Sequence, residues 1–376
     1  MDYDIPYSDT TVGLSGYTGL NLDEISLWTR HPAERSIVAP RGYYKAGFTR
    51  LSNGDLLASP CYQDNARNKI PMAIFRSKDS GTSWHKVDTR GDELLGKEPA
   101  LQTLTSGGIL LITSHPHGFR IARSDDDGVT WKTTTLGEAR DTIDYTNQTF
   151  SMMRNVIENG DGSLSLFLTR GRGYDQSAPQ SKGWIYSSVD DGVTWERNRE
   201  MRVWDNPEPM FDEGQIVRLA DGKMLGLGRV TGDVFIDNRK PPYGPPAPPG
   251  DHSGDHMVMA ESDDGGLTWS DPRAFLDYSE VHAHIIVLDD DRLLCSYLSY
   301  HLPFGIYAVF SDDNGKSWDT DHPIQLAIGK DYNTGWPTSI QLPDRSIVTL
   351  YATSPYPGED PQIWVSVTEC VRWRLQ

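Results

Sequence analysis

Short apolar runs and turn signals alternate along most of this chain. The run at residues 215–219, for example, leads into the turn at 220–222, and a second apolar run follows at 224–227. Apolar runs of this length on both sides of a tight turn predict β-hairpins. Six such hairpins are expected, with turns at residues 52–54, 105–107, 161–162, 220–222, 289–291 and 343–345.

One motif, Ser-x-Asp-x-Gly-x-Thr/Ser-Trp, occurs five times, with starts that lie 47, 64, 74 and 49 residues apart. Asp can accept hydrogen bonds from backbone amides inside a turn, and Gly supplies a positive φ. The Trp can pack beneath the hairpin and anchor it. The shorter intervals fit one four-stranded unit, and the longer ones fit a unit with an inserted loop. The copies begin at Ser77, Ser124, Ser188, Ser262 and Ser311.

This motif is the Asp box, and its five copies resemble the sialidase superfamily. The resemblance covers nearly the whole chain and implies an all-β fold, a six-bladed β-propeller of the sialidase type, with residues 1–376 as a single domain. The sixth unit begins near Trp336 and has no Asp box, so we expect an N-terminal strand at about residues 24–28 to complete it. Such closure removes free sheet edges.

Composition narrows the class of ligand. The net charge of −18 disfavours nucleic acid and anionic membranes as partners but allows a small anionic substrate in a locally cationic cleft. No apolar run approaches the length of a membrane helix. The three cysteines show neither metal-ligand spacing nor a disulfide pattern, so we expect buried thiols, no metal and no cofactor. No signal peptide is visible, which predicts a cytoplasmic protein, or a secreted one if the sequence has been trimmed.

Ligands of propellers bind at one end of the central channel, and the Asp-box hairpins of this fold lie at the other. The functional end should therefore collect the start of each innermost strand and the end of each second strand. The ends of second strands contribute Asp64, His115, Arg229, Tyr300 and His301. Counting nine residues back from each hairpin turn gives the strand starts, where an apparent insertion at 159–160 disturbs the third: Lys45, Glu98, Met153, Glu213, His282 and Trp336.

The resemblance also implies roles for some of these positions. Glu213 and Arg229 match the spacing of the family's Glu and second arginine, and Asp64 resembles its acid/base Asp. Lys45 lies where the first arginine is expected, and residues 299–305 contain no third arginine. Trp336 occupies the position of the nucleophilic Tyr, and an indole cannot act as a nucleophile. The chain is therefore not expected to be an ordinary sialidase.

These residues predict an exo-acting glycoside hydrolase for a terminal sugar, with an acidic sugar left open. Asp64 and Glu213 would act as acid and base of an inverting reaction if their carboxyl groups lie roughly 6.5–9.5 Å apart. Two alternatives remain: a lyase or other small-molecule enzyme that uses His, Tyr and Arg, and a non-catalytic glycan-binding propeller. A proline-rich insertion at about 231–256 would form a lid, a wall or an exposed loop. Expected substrate-binding residues are Lys45, Glu98, His115, Arg229, His282, Tyr300, His301 and Trp336.

Overall fold

The computed structural model describes residues 11–14, 30–62, 70–115, 118–136, 150–170, 182–201, 212–230, 255–301, 303–329, 334–353 and 366–375. Every regular element in these ranges is a β-strand. In that part of the chain, no helix is long and apolar enough to cross a membrane.

The strands, in chain order, are β1 Thr11–Leu14, β2 Arg30–Ala39, β3 Tyr43–Arg50, β4 Leu56–Tyr62, β5 Phe75–Ser77, β6 His85–Lys86, β7 Arg90–Gly91, β8 Lys97–Thr103, β9 Ile109–His115, β10 Gly118–Ser124, β11 Thr130–Leu136, β12 Phe150–Glu158, β13 Leu164–Arg170, β14 Lys182–Ser188, β15 Glu196–Met201, β16 Asp212–Arg218, β17 Met224–Val230, β18 His256–Ser262, β19 Arg273–Ala274, β20 Glu280–Val287, β21 Leu293–Ser299, β22 Gly305–Ser311, β23 Ile324–Ile328, β24 Gly335–Gln341, β25 Ile347–Thr353 and β26 Val367–Trp373.

Twenty-four of the described strands, all but β1 and β7, form six antiparallel units of four, which we call blades 1 to 6. Blade 1 is β3–β6, blade 2 is β8–β11, blade 3 is β12–β15, blade 4 is β16–β19 and blade 5 is β20–β23. Blade 6 joins β24, β25 and β26 to β2. The innermost strands β3, β8, β12, β16, β20 and β24 contact one another in that order, and β24 returns to β3. This cyclic order of contacts is typical of a β-propeller.

The innermost strand of each blade has an open edge toward the channel, where backbone groups lack a strand partner. Side chains of the preceding blade supply the missing partners. In each of the following pairs, the side chain of the first residue accepts a hydrogen bond from the backbone amide of the second. The pairs are Thr49 and Thr103 at 2.9 Å, Gln102 and Val156 at 2.8 Å, Asn155 and Ile216 at 3.1 Å, Gln215 and Ile285 at 2.7 Å, and His284 and Ser339 at 3.3 Å. We call these five side chains the interblade acceptors.

The five motif turns have the hydrogen bonds that their composition predicts. In each copy the Ser hydroxyl donates to the Asp carboxylate and accepts from the Gly amide. In the third copy the hydroxyl and amide of Thr194 also donate to Asp190, and these bonds lower the pKa of that carboxyl to about 2. The Trp indole donates to the Gly carbonyl in four copies, whereas Trp318 packs against Phe275 with ring centroids 5.6 Å apart.

The motif glycines are also required for packing between blades. Each has a positive φ between 81° and 95°. Each also lies against a side chain of the preceding blade, so that a Cβ on Gly266 would overlap the ring of Phe167 and one on Gly128 would come within 2.9 Å of Leu57. The motif turns therefore join neighbouring blades as well as two strands.

The motif turns and the first hairpin turns lie at the same end of the channel. Asn53 in the turn of blade 1 donates to Asp127 of the second motif at 3.2 Å. Ser106 in the turn of blade 2 donates to Asp191 of the third motif at 2.7 Å. Because the strands are antiparallel, the starts of the innermost strands lie at the opposite end, as the sequence predicted.

β2, at residues 30–39, pairs with β26 and supplies the fourth strand of blade 6. Residues 24–28 lie outside the described ranges. Arg35 on β2 donates to the hydroxyl of Tyr351 at 3.0 Å and to the carbonyl of Leu326 at 2.5 Å. That hydroxyl in turn donates to Glu369 at 2.8 Å. These contacts fasten β2 to both blade 6 and blade 5.

The double role of the motif glycines is testable by paired substitutions. Gly266 and Gly222 have similar positive φ values of 86° and 88°, but a Cβ on Gly222 meets nothing within 4 Å. We expect Gly222→Ala to lower the free energy of unfolding by about 1–2 kcal/mol through backbone strain. Gly266→Ala should lower it by about 1–3 kcal/mol more because Phe167 must move. Urea unfolding followed by tryptophan fluorescence measures both, and equal losses would contradict the packing role.

Candidate functional site

A bulge interrupts every innermost strand near its start. The pairing register shifts between Tyr44 and Ala46, Lys97 and Ala100, Met152 and Val156, Asp212 and Gln215, Val281 and His284, and Gly335 and Thr338. All six strand starts obtained by counting back from the hairpin turns fall inside these bulges. Bulges re-aim side chains and are frequent beside active sites. The six positions therefore form one ring at the end of the channel opposite the motif turns.

Four non-glycine residues of this ring have a left-handed backbone conformation. The φ angles are 44° for Lys45, 51° for Glu98, 58° for His282 and 52° for Trp336. Such angles are unfavourable for residues with a Cβ, and especially for a bulky one. Strain of this kind is concentrated at functional sites, where the surrounding structure maintains it.

Trp336 is the centre of a compact group of side chains. The His282 ring stacks on the indole with centroids 4.8 Å apart and planes 25° apart. The Lys45 ammonium lies 4.6 Å from the ring centroid, and Tyr44 meets the indole edge-on at 5.9 Å. Only 8% of Trp336 is exposed. Neighbouring side chains therefore cover much of the indole ring.

A polar pocket lies beside this group. Lys45 forms an ion pair with Glu98, and the side chains are 13% and 17% exposed. The pocket has a cavity volume of about 30 Å³ and opens to solvent. Its polar and aromatic lining consists of Lys45, Glu98, Arg154, His284, Trp336 and Thr338. Two cations and one carboxylate thus face a small cavity, a composition suited to a polar ligand.

Arg229 is buried at the end of β17 and not open to solvent, with 7% exposure. Its Nε lies 3.8 Å from the Asp255 carboxylate, and its Nη1 lies 3.5 Å from Nε2 of His282. A guanidinium can only donate, so Nε2 of a neutral His282 acts as the acceptor. Arg229 therefore supports the position of His282 and has its own charge balanced by Asp255.

Tyr300 and His301 lie against the turn at residues 277–280. The Tyr300 amide donates to the carbonyl of Ser279 at 2.8 Å, and Nε2 of His301 lies 2.7 Å from the carbonyl of Tyr278. The Ser279 amide donates to the carbonyl of Asp255 at 2.7 Å. This turn is thus bonded to the residue that pairs with Arg229.

Glu280 begins β20 at the same turn. Its carboxylate accepts from the Asp277 amide at 3.0 Å and from the hydroxyls of Ser299 and Tyr297. Burial raises the pKa of Glu280 to about 7, and the Asp277 charge also raises it, against the opposing effect of the hydrogen bonds. Glu280 is therefore the described carboxyl at this end whose charge changes near neutral pH.

Several predicted positions are only partly described. Asp64 and the insertion up to residue 254 lie outside the described residues. The backbone of Glu213 lies in the β16 bulge and His115 ends β9, but their side chains are outside the described set. Among the described residues, no group of three His, Cys, Asp or Glu side chains is placed to hold a metal. The three cysteines are buried and unpaired, as expected from the sequence.

Sequence reasoning missed Arg154, Asp255 and Glu280. The β12 bulge leaves three residues opposite one on β13, whereas the β8 bulge leaves two opposite one on β9. This longer bulge puts Arg154 into the pocket and explains why the count in blade 3 was disturbed. The apparent insertion at 159–160 was the signal that could have extended the search by one residue.

The Glu280 carboxyl predicts a pH dependence of stability. Its pKa rises from an ordinary value of 4.5 to about 7 on folding, so its contribution is fully present below pH 4.5 and is lost as pH rises through 7. Glu280→Gln should remove this dependence, worth on the order of 3 kcal/mol. Urea midpoints from pH 4.5 to 8 measure it, with the exposed Glu196→Gln as control. Profiles that stay parallel for wild type and Glu280→Gln would refute it.

Comparison with known proteins yields structural likeness without sequence likeness. No family model matches the chain, and no curated protein matches its sequence. A protein of unknown function from Dyadobacter fermentans is 18% identical, with 91% of this chain and 98% of that chain covered and a TM-score of 0.66.

Two structurally similar proteins are enzymes. An α-L-arabinofuranosidase from Fusarium graminearum, bound to an iminosugar inhibitor, is 14% identical over 89% of this chain and 97% of that one, with a TM-score of 0.62. A Hadza microbial sialidase is 16% identical over 87% of this chain and 65% of that one, with a TM-score of 0.57. These likenesses confirm the predicted all-β propeller, and the chain therefore has the fold that sialidases and α-L-arabinofuranosidases share.

Proposed function

We propose that the protein is an exo-acting glycoside hydrolase for a terminal sugar. The observation that carries this proposal is the ring of six bulges at one end of the channel. At four of these positions a non-glycine side chain is kept despite a left-handed backbone. Glycine would relieve that strain, so these side chains are retained for what they contact.

The catalytic roles fall to two carboxyl groups. Glu213 belongs to the bulge of β16, and Asp64 follows β4, whose end lies beside the β3 bulge that contains Lys45. The backbone of Glu213 therefore lies at the pocket end of the channel, and Asp64 follows a strand that ends there. Asp64 would protonate the leaving oxygen while Glu213 activates water, which is the division of roles in an inverting hydrolase. Trp336 and His282 would form the wall beside them.

Structurally similar proteins support the proposal that this protein hydrolyses glycosides. The Fusarium arabinofuranosidase and the Hadza sialidase both act on glycosides and share this fold. Low identity leaves the sugar open, and the chain lacks the Tyr nucleophile and two of the three arginines that the sialidase resemblance would require. The proposal therefore specifies hydrolysis of a terminal sugar other than sialic acid.

The catalytic pair can be tested by turnover of chromogenic glycosides. We expect release of nitrophenol from at least one arabinoside, uronide or neutral hexoside, and little from a sialoside. Asp64→Asn and Glu213→Gln should each lower kcat by about 10²–10⁴-fold, the usual contribution of general acid–base catalysis. Inversion at the anomeric carbon, followed by NMR, would accompany turnover.

Glu158→Gln provides the matched control. Glu158 is the last residue of the innermost strand β12, at the opposite end of the channel, where it accepts from the Thr105 amide at 3.0 Å. Its substitution should leave kcat unchanged. Turnover that survives in both catalytic variants would refute the assigned pair. An unsaturated product with ultraviolet absorbance, formed from uronic-acid oligosaccharides, would replace hydrolysis with elimination.

A further inference from the structure

Arg154 is an unusual residue of the pocket. The longer bulge of β12 directs it into the cavity that Trp336 and Thr338 also line. Its Nη2 atom is inaccessible to solvent and has no hydrogen-bond partner among the described residues. A buried donor without an acceptor is costly, and more so when it carries charge. A guanidinium only donates, so the missing partner must be an acceptor.

Thr338 supplies a second donor to the same cavity. His284 is an interblade acceptor, and its Nδ1 takes the hydrogen bond from the Ser339 amide. Burial and the nearby charge of Arg154 lower the pKa of His284 to about 3, so the ring is neutral at ordinary pH. Its proton must therefore be on Nε2, which lies 3.4 Å from the Thr338 hydroxyl oxygen. That oxygen accepts from the ring, which leaves the hydroxyl proton to donate elsewhere.

The other charges of the pocket are balanced within the protein. The Lys45 ammonium is paired with the Glu98 carboxylate and lies over the Trp336 ring. Among the described residues that line this cavity, Arg154 therefore brings the positive charge that has no counterion. One guanidinium donor and one hydroxyl donor match the two oxygens of a carboxylate.

We infer that Arg154 and Thr338 bind the carboxylate of an acidic terminal sugar, such as a uronic acid, within this pocket. The inference rests on the proposed action on sugars and names the class of sugar. It uses a strand other than those to which the sialidase resemblance assigns carboxylate binding. The sialidase resemblance expects carboxylate-binding arginines near residues 44–45 and 299–305, and this sequence has none there. In this inference Arg154 of blade 3 takes over their role.

Binding of paired sugars tests the inference. Methyl glucuronide and methyl galacturonide differ from methyl glucoside and methyl galactoside by a carboxylate in place of a hydroxymethyl group. Calorimetry at pH 7 should show at least one uronide binding about tenfold or more tightly than its neutral partner, as expected for a charge-assisted contact. Acetate alone should bind much more weakly than the uronide.

Two isosteric variants assign the contact. Arg154→Met should reduce the preference for the uronide to within about twofold, and Thr338→Val should weaken uronide binding by about three- to tenfold. Arg199→Met, which changes an exposed arginine on the outer strand β15, should retain the full preference. Arg154→Lys keeps the charge and serves as a second variant, with intermediate affinity expected because Lys lacks the planar fork.

Thermal unfolding separates binding from a structural role. Because Nη2 of Arg154 has no hydrogen-bond partner in the described part of the chain, Arg154→Met should leave the melting temperature unchanged or raise it, while binding falls. A lowered melting temperature with an unchanged uronide preference would overturn the inference. So would equal affinity for each uronide and its neutral partner in the wild type.

The two proposals fail in different ways. Turnover of neutral glycosides without any uronide preference would retain the hydrolase and refute the carboxylate site. A uronide preference that Arg154→Met abolishes, in a protein that hydrolyses no glycoside of the panel, would retain the carboxylate site and refute the hydrolase.

Discussion

The open edge of the innermost strands is the constraint on which the rest of the molecule depends. Six strands face a shared channel, and each would leave backbone amides without partners if the blades merely lay side by side. One side chain per junction resolves this at five of the six described junctions, from Thr49 in blade 1 to His284 in blade 5. Blades are thus connected by specific hydrogen bonds near the axis and by apolar packing farther out.

These junctions also determine how the site is built. The bulges shift each innermost strand by a residue or more, so that side chains before the interblade acceptors turn toward the mouth of the channel. His282 and His284 show the division most clearly, since the first stacks on Trp336 and the second joins blade 5 to blade 6. Because a bulge separates them, the ordinary alternation of a strand does not relate their directions. One neutral histidine then leaves the hydroxyl of Thr338 free to donate.

The sequence predicted the repeating parts of the structure well. Motif turns and hairpin turns recur at regular intervals, so counting from them located all six bulges. Arg154 escaped because the bulge of β12 is longer than the others, and bulge length leaves no mark in residue type. The sequence also does not show how deeply a side chain is buried. Residues distant in sequence cover the Trp336 ring, and burial among other such residues raises the pKa of Glu280. The pairing of β2 with β26 was not predicted, because two strands so far apart in the sequence leave no local signal of their contact.

The closing strand β2 has a consequence for how the protein is made. β2 is among the first of the described strands to be synthesised, whereas its partner β26 is the last of them. Arg35 can form its hydrogen bonds only after Leu326 and Tyr351, some 300 residues later in the chain, have been synthesised. Until then the edge of β2 that pairs with β26 has no strand partner and the circle of blades is incomplete, and such exposed edges favour aggregation. Completion of the ring therefore requires β26, the last of the described strands, and biosynthetic yield should be sensitive to contacts at this seam.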